Sequence, residues 1–252
     1  MKNEQAHFEY VLRMGDNALI LGQRLSEWCG HGPVLEQDIA ITNIALDLMG
    51  QARSLLDYAG KVEGKGRSED DMAFLRDAWD FRNVLLVEQP NEDWAFTIVR
   101  QFLFDAYHFL FVREMKKSSD EQLAAIAEKS LKEITYHLRF SSEWMIRMGD
   151  GTGLSREKMQ TALDAWWMYT GELFEMNEVD HLMIDAGIGV DLHALLPAYN
   201  ERINAVLAEA TLEKPDAGWM QSGGKEGRHT EHLGYILAEL QFLQRAYPGL
   251  SW

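Results

Sequence analysis

Four polar residues interrupt apolar stripes along the chain. Asn17 stands three residues after Met14, Asp47 three after Ile44, Asp105 three after Phe102 and His137 three after Ile134. Residues three apart share a helical face, so each of the four is expected to point inward with its stripe. Inward carboxylates and imidazoles on four helices are the parts of a di-metal centre. Such a centre takes one Glu from each of two helices and a Glu-x-x-His pair from each of the other two. The spacing converges a carboxylate and an imidazole on one cation, and bridging carboxylates keep two irons close enough to activate oxygen together. Here the pattern is incomplete: Gly50 follows Asp47 three residues on, and Ile134 precedes His137 by three. Two carboxylates, an imidazole and an amide bring too few donors and too little negative charge for two irons. The expectation is instead a buried hydrogen-bond network with the imidazole between carboxylates, which Arg53 and Arg139 are near enough in sequence to join.

Literal Glu-x-x-His strings occur at Glu4 to His7, Glu178 to His181 and Glu226 to His229. They fall in a terminus expected to fray, near a helix junction and in a glycine-rich loop, so no metal role is assigned to them. His108, three residues after Asp105, reads as a neighbour at the bundle edge, and His31, His181 and His193 as solvated loop or boundary residues. Cys29, the single cysteine, is expected to be a buried small hydrophobe and can form no internal disulfide.

Helical periodicity supplies the elements that must position these residues. Apolar residues recur on one face from Tyr10 to Trp28, then over about 36 to 60, with a shorter helix expected from Asp70 to Val87. Pro90 closes that segment, and Asn91 is a candidate cap for the next. Glu92 to Met115 and Asp120 to Met148 form two long stripes whose short link makes them antiparallel neighbours, with Asp120 as N-cap. Further stretches lie near Ser155 to Glu175, Asp191 to Thr211 and His229 to Tyr247. The reading is all-α: a four-helix bundle with additional C-terminal packing helices, in one domain over residues 1–252.

Composition narrows the function. Of the 252 residues 46% are hydrophobic, enough for one large core, and Lys+Arg 24 against Asp+Glu 40 gives a formal charge of -16. That charge repels a phosphate backbone, so no nucleic-acid partner is expected. No apolar run reaches membrane-spanning length, and the polar start Met1-Lys-Asn-Glu-Gln lacks a signal-peptide core. A cytoplasmic protein with no membrane contact is expected. Without a dinucleotide fingerprint or a cysteine cluster, redox cofactors are assigned to other chains.

Several strings carry a family resemblance. Leu46-Asp-Leu-Met-Gly-Gln-Ala-Arg53, Leu85-Leu-Val-Glu-Gln-Pro-Asn91, Arg24-Leu-Ser-Glu-Trp-Cys-Gly-His31 and Gly223-Gly-Lys-Glu-Gly-Arg-His-Thr-Glu-His-Leu-Gly234 resemble the C subunits of bacterial phenylacetyl-CoA epoxidase, from about Tyr10 to Trp252. The resemblance implies a ferritin-like fold and a structural role, with no cofactor in this chain and a di-iron centre in a homologous catalytic A subunit. It also implies a heterodimer with that subunit and higher assembly, together with a small B subunit and a flavin and iron-sulfur reductase. Phenylacetyl-CoA is then bound mainly by the partner. By the same resemblance the metal-ligand positions of the catalytic subunit map onto Asn17, Asp47, Gly50, Asp105, Ile134 and His137, a degenerate set. Trp79, Phe81, Trp94, Trp166, Trp167 and Tyr169 are candidates for an interface, with ordinary core as the plainer reading. Lys225 and Arg228, two cations in a glycine-rich loop ahead of a helix, are candidates to touch the CoA phosphates. An independent CoA-ester binding or regulatory module, and a metal-dependent oxidase, are the competing readings.

Overall fold

A computed structural model describes residues 3–216 and 218–250. Met1 and Lys2 of the polar start, Ala217, and Ser251 and Trp252 at the end of the resemblance lie outside the described residues. The helices run in chain order: α1 (Asn3–Ser26), α2 (Leu35–Glu63), α3 (Glu69–Phe74), α4 (Leu85–Glu88), α5 (Trp94–Met115), α6 (Glu121–Gly149), α7 (Gly153–Trp166), α8 (Glu178–Asp185), α9 (Leu192–Glu209), α10 (Glu231–Leu240) and α11 (Phe242–Ala246). Short 3-10 turns lie between some of them, and no strand occurs among the described residues. No helix among the described residues is long and apolar enough to cross a membrane. Two compact units share the chain: residues 1–88 with 223–252, and residues 89–222.

In the first unit α1 and α2 pack along most of their length. Val11, Ile20, Leu21 and Leu25 of α1 and Ile41, Ile44, Leu48 and Leu56 of α2 are all buried. The first helix begins earlier than its apolar stripe, so Glu4 and His7 belong to it, and the ring of His7 meets that of Tyr58 edge-on at 5.9 Å. Their segment is helical, not frayed. Trp28 lies in the turn beyond Ser26. The second helix runs through Gly60 to Glu63 and stops at Gly64, whose φ of 70° places it in the left-handed region that favours glycine.

The helix expected over Asp70 to Val87 is broken into α3, a 3-10 turn at Ala78–Asp80 and α4. Polar side chains of α1 explain the break. Asp16 accepts from the backbone N–H of Arg82 at 2.9 Å, and Asn17 Oδ1 accepts from that of Val84 at 2.8 Å. Those N–H groups are thereby satisfied outside any helical ladder. Buried Arg76 completes the arrangement: its guanidinium donates to both Asp16 oxygens and the Asp80 carbonyl and lies 4.0 Å from the Phe81 ring centroid. At the C-terminus the single stretch expected from His229 to Tyr247 is two helices, α10 and α11. Gln241 between them donates to the carbonyls of Ala73 and Arg76, both at 3.0 Å.

In the second unit α5 is apolar nearly all round, as a helix enclosed by neighbours must be, and it packs on α6, α7 and α9. Amphipathic α6 turns Leu123, Ala127, Ile134, Leu138 and Met145 inward. Asp120 caps it as expected, accepting from Leu123 N–H at 2.9 Å. Asn91 does not cap α5. Asp93 does, receiving Ala95 N–H at 2.9 Å and Phe96 N–H at 3.2 Å, while the Asn91 side chain accepts from the Arg100 guanidinium at 2.6 Å. The stretch expected from Ser155 to Glu175 ends as an α-helix at Trp166 and continues in 3-10 turns, and α8, which contains Glu178 and His181, is an additional helix.

Candidate functional site

The polar centre of the second unit is built by α5 and α6. Asp105 and His137 are 1% and 0% exposed, so both stripes carry a polar side chain inward as the spacing predicts. Gln101, one turn before Asp105, donates its Nε2 to Asp105 Oδ1 at 2.8 Å. Ser141, one turn after His137, donates its hydroxyl to Oδ2 at 2.8 Å. Burial pushes the Asp105 carboxyl up to about 6, against the opposing pull of His137, Ser141 and Gln101. His108 does not pair with Asp105. Its ring packs on Phe104 with centroids 5.0 Å apart, and burial, with the charge of His137, pushes it down to about 3. Ile134 is fully buried and brings no donor atom. Both Asp105 oxygens thus accept from neutral protein donors, a set that fits a hydrogen-bonded network better than a pair of cations.

In the first unit Asn17 is spent on the Val84 N–H, Asp47 is half-buried, and Gly50 lies on the exposed face of α2 instead of inward. Arg53 and Arg139 do not join a buried network. They pair with Glu69 at 3.2 Å and Glu143 at 3.7 Å while 78% and 69% exposed. The buried guanidiniums are those of Arg13, Arg24, Arg76 and Arg100. Among the described residues no group of three or more His, Cys, Asp or Glu side chains converges to hold a metal.

A second polar centre, which the sequence reading missed, ties residues 223–230 to α4. Glu88 is fully buried, and its carboxylate accepts from Asn83 Nδ2 at 2.9 Å, Thr230 N–H at 2.7 Å and Thr230 Oγ1 at 2.8 Å. His229 contributes Nδ1 at 2.9 Å, and its Nε2 donates to the Phe81 carbonyl at 3.0 Å. A carbonyl only accepts, so Nε2 carries a proton, and a carboxylate at Nδ1 calls for a second one there. Burial alone would depress His229, but the hydrogen bond and charge of Glu88 outweigh it and hold its pKa above the usual range. Arg24 donates to the Glu88 backbone carbonyl at 2.9 and 3.2 Å, so α1, α4 and the loop before α10 meet at one residue. The signal in the sequence was a Glu directly after the apolar Leu85 to Val87 run.

The loop itself needs its glycines: a Cβ on Gly224 would stand 2.2 Å from the Asn83 carbonyl oxygen. Arg228 is engaged by Glu226 at 2.5 Å, and Lys225 is half-buried. Of the aromatic candidates, Phe81, Trp94, Trp166 and Trp167 are core and Tyr169 is half-buried, whereas Trp79 is 75% exposed. His31, His181 and His193 are exposed, and so is Cys29, which corrects its reading as a buried hydrophobe.

Paired long helices that carry an inward carboxylate and imidazole define a ferritin-like helical protein. The chain belongs to the phenylacetic acid catabolic protein family, whose model matches residues 1–252. It is 51% identical over 243 residues, 96% of this chain and 98% of the relative, to the C subunit of the 1,2-phenylacetyl-CoA epoxidase of Escherichia coli (strain K12).

Proposed function

We propose that this chain is the non-catalytic, structural subunit of a multicomponent di-iron monooxygenase that epoxidises the ring of phenylacetyl-CoA. It supports a homologous catalytic subunit, which holds the di-iron centre and most of the substrate contacts, while a small subunit and a reductase complete the system. The near-full-length likeness to the Escherichia coli epoxidase component supports this reading of the enzyme and of the place in it. The observation that carries the non-catalytic role is the donor chemistry around Asp105. Gln101 and Ser141 take its two oxygens, and Ile134 and Gly50 bring no ligand atom. What such a subunit contributes is preorganisation: a second helical body against the catalytic one holds the helices that carry the ligands within the small tolerance that metal chemistry requires.

The test is metal analysis with reconstitution. The chain purified alone should carry far less than one iron and consume no oxygen with phenylacetyl-CoA, and turnover should appear when the catalytic subunit and reductase are added. Two irons per chain with substrate-dependent oxygen uptake by the lone chain overturns the reading.

A further inference from the structure

We infer that the exposed face of α2 running through Leu35, Ile39, Leu46 and Gly50 is the seat for a helix of a second, different protein chain with basic flanks. The opposite face of α2 is filled by α1, yet Leu35, Ile39 and Leu46 are 71%, 52% and 63% exposed. These three and Gly50 recur at helical spacing, so they form one stripe and not scattered surface residues.

Gly50 is the second, independent observation. It lies in the middle of a 29-residue helix, where glycine is the worst choice short of proline, and a Cβ built there would meet nothing within 4 Å. No contact inside the chain asks for it. A glycine on an exposed helical face is explained when another backbone approaches too closely for a side chain. The absence of a ligand at this position would have been met by any residue; only close approach calls for none.

Charge selects the occupant. Glu36, Asp38, Asp47, Asp57 and Glu63 outnumber Arg53 and Lys61 along α2, and the whole chain carries -16. A second copy on a two-fold axis would set like charges against each other, whereas a partner with basic flanks gains from them.

The inference rests on the assembly proposed above, with the purified catalytic subunit from the same organism as probe. Binding to the full chain is measured by titration for the wild type, Leu46→Glu, Gly50→Met and Gly50→Ala, with thermal midpoints alongside. Leu46→Glu should weaken binding at least about thirty-fold and Gly50→Met at least about tenfold. Gly50→Ala should raise the midpoint of the lone chain while still weakening binding, a combination that a misfolded variant cannot produce. Unchanged affinity in Leu46→Glu and Gly50→Met overturns the inference and leaves the assembly standing. A wild-type dimer abolished by Leu46→Glu overturns it in favour of a second copy. A monomeric wild type that fails to bind the catalytic subunit overturns the assembly itself.

Discussion

Replacing Asp105 with Asn should stabilise the protein at neutral pH. The Asp105 carboxyl, ordinarily near 3.8, is pushed up to about 6 by burial. Because the folded-state value is the higher one, the folded chain holds a proton that the unfolded chain has already released. Stability from this group is therefore complete below about pH 4 and lost as pH rises through about 6. The loss amounts to about 3 kcal/mol by pH 7.5. An amide keeps the geometry: Asn Oδ1 still accepts from Gln101, and the Ser141 hydroxyl can rotate to accept from Nδ2. Urea unfolding of both proteins at pH 4 and pH 7.5 cancels every other titrating group in the difference. Asp105→Asn should match the wild type within about 1 kcal/mol at pH 4 and exceed it by up to about 3 kcal/mol at pH 7.5. For a chain of this length that gap corresponds to roughly 6 to 12 °C in thermal midpoint. An equal gap at both pH values, or a variant less stable at pH 7.5, refutes the reasoning. The second result would also count against the non-catalytic role, since it is what loss of a metal ligand produces.

Glu88→Gln should cost about 3 kcal/mol, because it removes the charge from a buried pair and leaves the acceptor positions facing Asn83 and His229 badly matched. The His229 value is raised in the folded chain, so the contribution of the pair is present below about pH 6.5 and lost as pH climbs through the folded value. The deficit measured by urea unfolding should accordingly be larger at pH 6 than at pH 9. Asn17→Ala leaves the Val84 N–H without its acceptor and should cost about 1 to 2 kcal/mol by the same assay, with faster amide exchange at Val84 as the local signature. For the proposed CoA contact, Lys225→Ala with Arg228→Ala should weaken CoA-ester binding by the proposed assembly; unchanged affinity removes those residues from the substrate path.

Much of the fold was legible because burial writes a period into sequence. The stripes of α1, α2 and α6 each bury one continuous face, α5 is buried nearly all round, and Asp105 and His137 sit where the helical period puts them. The segment from Asp70 to Val87 was misread because its fate is decided elsewhere: Asp16 and Asn17, some sixty-five residues earlier, take the N–H groups a helix would have used. Buried guanidiniums escape for a related reason. Arg24, Arg76 and Arg100 count as surface in any pattern of apolar and polar residues, yet each is buried and donates to a backbone carbonyl. Glu88 and His229 stand 141 residues apart, and no spacing rule joins them. Cys29 and Gly50 show the limit from the other side, since a small residue next to an apolar stripe can face either way.

The bonds at Glu88 also set an order of events during synthesis. Three of the donors that reach its carboxylate come from His229 and Thr230, and the ribosome delivers them 141 residues after Glu88 itself. At about 5 to 20 residues per second the nascent chain waits roughly 7 to 28 seconds for those three donors, with Asn83 already made. A transcript cut short before residue 229 therefore leaves a product whose N-terminal helices cannot close over Glu88 without cost, and such fragments should be poor competitors for the intact protein.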